Sequence, residues 1–259
     1  MLKGFLLAIQ FFTVLPIRRE IDMNQRTVNW MIGLLPLIGA IIGSVSISVE
    51  FTADHLFSVS PLITAFLICL TLIVLTGGLH LDGWTDVSDA YFSYRDVEKR
   101  HEILKDPRVG AFGVLSLIVL LASKFILLLD LAMQGVTDWL WLFWIPVLSR
   151  LMIAVLLVKA QLARQEGMAH YLKRYLTDRV LLKAGVVSLV LLIPLLFSPG
   201  LWPLLAVLLA GAVIFTFMNV IFFKKAFGGI SGDTLGASVE GGELWSLILV
   251  WCYLSIVMG

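Results

Sequence analysis

Six runs of predominantly apolar residues, at 28–49, 56–79, 112–133, 139–159, 180–197 and 201–223, constrain this chain more than any other feature. Each offers about the 20 residues that a helix needs to cross the hydrocarbon core of a bilayer. In lipid every backbone N–H and C=O must be paired within the protein, and a helix does this alone. The expected fold is therefore all-α: a polytopic transmembrane helix bundle of six full spans. Short hydrophobic helices are expected at the N-terminus (2–15, stopped by Pro16) and the C-terminus (244–258). Composition agrees, because 59% of the 259 residues are hydrophobic and only 14% are charged. A disordered chain is excluded, and a balance of 19 basic to 18 acidic side chains excludes a nucleic-acid binder. Cys69 and Cys252 sit inside apolar runs and read as small packing residues. No repeat or linker divides the chain, so 1–259 reads as one integral membrane domain. No small-residue cleavage site follows the first apolar stretch, which reads as a retained segment.

The connecting segments alternate in charge. Segments 16–27, 80–111, 160–179 and 224–243 carry arginine or lysine, whereas 50–55, 134–138 and 198–200 carry none. The positive-inside rule places the basic segments in the cytoplasm, and the expected location is the cytoplasmic (inner) membrane.

The most informative of these segments begins Gly77-Gly78-Leu79-His80-Leu81-Asp82-Gly83-Trp84-Thr85-Asp86-Val87-Ser88-Asp89. Spacings of four and three put Asp82, Asp86 and Asp89 on one helical face. Like charges so placed repel unless a cation lies between them, and hard oxygen donors suit Mg²⁺. The competing reading is a solvated acidic face, although no lysine or arginine interrupts it. His80, at the end of a span, is either an interfacial hydrogen-bonding residue or a catalytic one. Further on, Lys105 and Arg108 are candidates to hold phosphate, or ordinary anchors of a basic loop. Residues 228–243 form a glycine-rich stretch with Ser231, Asp233, Thr234, Glu240 and Glu243, read as a loop. It either cradles phosphate or is only a turn. Two cations stand inside spans. Arg150 is a candidate ligand for a buried phosphate or carboxylate; Lys124 is either functional or held in a structural ion pair, for example with Asp130.

Acids, cations and a glycine-rich segment on one membrane face suggest metal-assisted phosphoryl or phosphodiester transfer on an amphiphilic substrate. Phe11-Phe12-Thr13-Val14-Leu15-Pro16, the Gly77–Asp89 block and Glu102-Ile103-Leu104-Lys105-Asp106-Pro107-Arg108-Val109-Gly110-Ala111-Phe112-Gly113-Val114 share an order with a known family. With Leu148-Ser149-Arg150 and Gly228-Gly229-Ile230-Ser231-Gly232-Asp233, they resemble the cobalamin synthase (adenosylcobinamide-GDP ribazoletransferase) family over almost the whole chain. Departures are Val14 where the family has arginine, Trp84 between the acids, Ala90 for glycine and Ser231 for threonine; none removes an acid.

The resemblance implies an Mg²⁺-dependent transferase that joins adenosylcobinamide-GDP to α-ribazole or its 5′-phosphate and releases GMP. It implies a metal held by Asp82, Asp86, Asp89 and Asp233, with His80 as a base. Lys105, Arg108, Arg150, Ser231, Asp233 and Glu240 would bind phosphate or substrate. The implied active site faces the cytoplasm, with the bilayer and the two substrates as partners and an oligomer allowed. A CDP-alcohol phosphotransferase is the nearer alternative, but Asp86-Val87 stands where its motif requires Ala-Arg. A transporter with Lys124, Asp130 and Arg150 along its pathway is the more distant one.

Overall fold

The computed structural model describes residues 1–93, 96–136, 138–193 and 198–258. Its helices are α1 (Leu2–Phe12), α2 (Gln25–Gly33), α3 (Leu35–Phe51), α4 (Pro61–Thr76), α5 (Leu79–Ser93) and α6 (Val97–Ile103). They continue with α7 (Ala111–Met133), α8 (Trp141–Lys159), α9 (Gly167–Lys173), α10 (Arg179–Leu191), α11 (Trp202–Phe227) and α12 (Gly232–Met258). No β-strand occurs among the described residues; an isolated parallel bridge joins Leu162 to Ile230.

The bundle class is as expected, but the spans are drawn differently. Among the described residues, five stretches are long and apolar enough to cross a membrane: Leu35–Leu56, Ala111–Met133, Trp141–Lys159, Trp202–Phe227 and Gly232–Val257. The run 28–49 is not one helix. It breaks at Leu34, because Pro36, near the start of α3, has no N–H to give the carbonyl of Ile32. The run 56–79 becomes α4, which ends on Gly77 and Gly78, both in the left-handed region with φ of 62° and 75°. Only glycine enters that region without steric cost, and the chain turns there by 92° into α5. We read α4 as the crossing helix and α5 as lying across its end, outside the spans. Of the run 180–197, α10 covers the first part, and 194–197 lie outside the described residues.

The largest correction concerns the C-terminus. The expected loop at 228–243 and short helix at 244–258 are instead one 27-residue helix, α12, starting at Gly232. Its start is capped reciprocally: Ser231 N–H donates to Thr234 Oγ1 (2.7 Å), and Thr234 N–H donates to Ser231 Oγ (3.3 Å). Its glycines are packing positions. Gly241 faces the rings of Phe215 and Trp84, and Gly242 faces Met152. Tertiary contact outweighs their poor helix propensity of about 1 kcal/mol each.

The buried helix α8 is the bundle's axis. Gly39 and Gly43 of α3 lie against its backbone; a Cβ on Gly43 would stand 2.7 Å from the Cα of Phe143. This small-residue spacing lets helices approach closely in lipid. By contrast α7 and α11 expose Val119, Ile126, Val213 and Phe217, as lipid-facing helices should.

Candidate active site

The site is built where α5 crosses α12. A Cβ on Gly83 would lie 2.6 Å from the carbonyl oxygen of Asp233, and one on Gly236 would lie 3.3 Å from the Cα of Gly83. Two glycines facing each other let the backbones touch, which brings Asp82 and Asp86 of α5 to Asp233 of α12. Burial, followed by Asp82, Asp233 and Asp89, pushes the Asp86 carboxyl up to about 6. Asp233 accepts from Ser231 Oγ (3.3 Å) and has Arg164 Nη2 3.8 Å from its Oδ2.

The remaining candidates separate. Asp89 is buried and accepts from the N–H of Gly113 (3.2 Å), while its carboxylate lies against Gly110. It therefore caps the start of α7 from outside that helix, where an anion meets unpaired N–H groups. Ser231 Oγ serves the cap of α12. Glu240, expected beside the acids, points elsewhere: its Oε2 pairs with Lys124 Nζ at 2.6 Å. Lys124 also reaches Glu243 Oε2 at 3.0 Å, and Arg150 Nη1 pairs with Glu243 Oε1. Glu243 is thus the carboxylate that Arg150 was expected to find. Lys124 does not pair with Asp130, which instead binds Gln134 (2.6 Å) and the indole of Trp251 (2.7 Å). Lys124, Arg150, Glu240 and Glu243 are all buried and sum to zero charge. They lie roughly 12–20 Å of helical rise below the site's end of α7, α8 and α12.

His80 is buried between these two layers. Its ring stacks on Phe12, with centroids 6.3 Å apart, and its buried Nε2 has no hydrogen-bond partner among the described residues. Arg150, Glu243 and Lys124 all act on it electrostatically. Lys105 is on the site's face but pairs with Glu166 at 2.6 Å. Arg108 is exposed and folds onto Asp106 (2.6 Å), whose carboxyl it holds down to about 2. Sequence reasoning missed Arg164. Two hydrogen bonds place its segment: Ala163 N–H to Ile230 O (2.9 Å) and Ile230 N–H to Gln161 O (2.8 Å). These links span 67 and 69 positions in sequence and have no local signature.

Among the described residues, no three His, Cys, Asp or Glu side chains form a ready-made metal cage. The donors nonetheless fit a hard divalent cation in kind, since Asp82, Asp86 and Asp233 supply only carboxylate oxygens. Mg²⁺ keeps several waters and is commonly bound by one or two carboxylates plus substrate phosphates, so a protein cage is not required. Beside Asp82 and Asp233 lies a cavity of about 270 Å³, walled by apolar side chains of α1, α2, α3, α8, α9 and α12.

The chain matches the cobalamin-5-phosphate synthase family over residues 4–251. It belongs to this family. It is similar to proteins named adenosylcobinamide-GDP ribazoletransferase from Geobacillus sp. strain WCH70, with 42% identity over 99% of this chain and 98% of that protein. A protein of the same name from Geobacillus kaustophilus is 44% identical, at 99% and 98% coverage. Another, from Clostridioides difficile, is 32% identical, at 99% of both. No solved structure matches. For this family member the crossing at Gly83 and Gly236 is a sharp test. Gly83→Ala drives a Cβ into backbone, not into a flexible side chain, so α5 and α12 must separate. A displacement of about 1 Å at reacting groups lowers turnover about 10²-fold. Gly185→Ala on α10, where an added Cβ meets nothing within 4 Å, should leave activity unchanged. Equal activities of the two variants would refute the crossing.

Proposed function

We propose that the chain is an adenosylcobinamide-GDP ribazoletransferase, a membrane-embedded transferase acting at the cytoplasmic face. The observation that carries the reading is the meeting of Asp82 and Asp86 with Asp233 on one end of a bundle that matches the family throughout. In the proposed reaction a ribose hydroxyl of α-ribazole, or of its 5′-phosphate, forms a P–O bond to the corrinoid-side phosphorus of the diphosphate. The P–O bond to the other phosphate breaks, and GMP leaves with the electron pair. Bound Mg²⁺ would supply charge neutralisation at the phosphate oxygens.

Asp82, Asp86 and Asp233 hold the cation in this proposal, and Asp89 fixes α5 against α7. A carboxylate of the cluster receives the hydroxyl proton. Burial, then Arg150 and Lys124, oppose a positive charge on His80, so its place suits orienting α5 more than accepting that proton. Arg164 and Lys105 balance charge at the rim while exchanging partners with the incoming phosphates. The test is GMP release by purified protein in liposomes. Release should require both substrates and Mg²⁺, and its absence with all three present would sink the proposal.

Orientation has its own check. Lys99 and Lys225 lie at the acidic end of the bundle, and Asp138 lies at the far end of α7. With Cys69 and Cys252 replaced, an impermeant thiol reagent on intact cells should label Asp138→Cys and spare Lys99→Cys and Lys225→Cys. The reverse pattern would invert the protein in the membrane.

A further inference from the structure

The cavity beside Asp82 and Asp233 is selective by what it lacks. Among the described residues no lysine, arginine, asparagine, glutamine, serine or threonine lines it; His80 and the two aspartates are the polar side chains they give it, and Phe12, Ile32, Ile153, Leu157 and Ala169 belong to its apolar wall. A phosphate finds no cation there. A guanine would leave several donors and acceptors unpaired, each at a cost. At about 270 Å³ the cavity is at the small end for ligand sites and cannot hold a corrin macrocycle. The base of ribazole is different. It is a fused two-ring system with two methyl groups and one free ring nitrogen, so nearly all its surface is apolar.

We infer that this cavity takes the dimethylbenzimidazole base of the ribazole acceptor and sets the enzyme's choice of base. The assignment rests on the proposed activity and names the acceptor's place within it. With the base seated among α1, α8 and α9, the attached ribose emerges at Asp82 and Asp233, where the diphosphate must lie. The corrinoid and guanosine then stay outside the bundle, and only the acceptor enters it.

Binding can be measured without turnover, by titration calorimetry on the purified full chain in detergent. The wild type should bind α-ribazole, and ribosylbenzimidazole lacking both methyl groups should bind about tenfold more weakly. Ala169→Phe places a ring inside the cavity and should weaken α-ribazole at least tenfold, with adenosylcobinamide-GDP affinity changed less than twofold. Should Ala169→Phe not fold, Leu157→Ala enlarges the same cavity and should improve binding of a three-ring riboside relative to α-ribazole. Failure of the wild type to bind α-ribazole overturns the assignment. So do equal affinities for the two ribosides, or displacement of α-ribazole by added phospholipid with no response to its methyl groups. If the wild type binds α-ribazole with these preferences but releases no GMP, the activity is wrong and the cavity assignment stands. If it releases GMP while Ala169→Phe, folded, binds α-ribazole normally, the activity stands and the cavity assignment falls.

Discussion

Asp86→Asn and Asp233→Asn should each lower GMP release about 10³-fold or more while the purified protein becomes no less stable. Loss of a charge that holds the cation removes several kcal/mol of transition-state stabilisation, and about 4 kcal/mol is a factor of 10³. The stability arm is the distinguishing one. Without a cation, the carboxylates of Asp82, Asp86, Asp89 and Asp233 oppose one another, and together with burial they hold the Asp86 proton on up to about 6. Because that value lies above the ordinary 3.8, the folded chain binds this proton more tightly than the unfolded chain does. Asp86 therefore makes the Mg²⁺-free protein lose stability as pH rises from 3.8 to about 6, with no further change above. Asp86→Asn should erase that part of the slope, and stabilisation by added Mg²⁺ should grow over the same interval. Thermal unfolding at several pH values with and without Mg²⁺ measures both. A variant within tenfold of wild-type turnover and with unchanged Mg²⁺ dependence would remove Asp86 from the metal site.

A second large effect is expected in the buried quartet. Lys124→Met leaves Glu240 and Glu243 with Arg150 as their one cation in the group, and stability should fall by about 3–5 kcal/mol, as when one partner of a buried pair is removed. Lys124→Met combined with Glu240→Gln removes one charge of each sign and leaves the Arg150–Glu243 pair intact. The double variant should recover most of the loss, a strong positive coupling between contacting residues. Unfolding in detergent, with size-exclusion profiles to confirm the folded state, reads this directly. A double variant no more stable than Lys124→Met would show that the four charges do not form one neutral unit.

Local patterns carried much of the reading. Apolar run length identified the bundle, and the three- and four-residue spacings of Asp82, Asp86 and Asp89 put them on one side of what is indeed a helix. The Gly39-Ala40-Ile41-Ile42-Gly43 spacing was legible in principle as a packing face for α3, although its partner on α8 was not. The stretch at 228–243 misled because six of its residues are glycine, which in water favours a turn. In this bundle four of those glycines (229, 236, 241 and 242) are contact points, and Ser231 with Thr234 starts the helix instead.

The sequence by itself determined that this chain is a helical membrane protein, that Asp82, Asp86 and Asp89 share one helix, and to which family it belongs. These properties reside in the length of apolar runs, in spacings along one helix and in ordered motifs, all of which survive without knowledge of neighbours. Only the tertiary structure decided that Asp233 joins Asp82 and Asp86 while Glu240, about two turns further along, does not. The crossing of α5 and α12 at Gly83 and Gly236 holds Asp233 at the bundle's end, where carboxylates can meet water and a cation. Glu240 is buried inside the bundle, and a buried carboxylate must take whatever positive charge the neighbouring helices present there, which is Lys124.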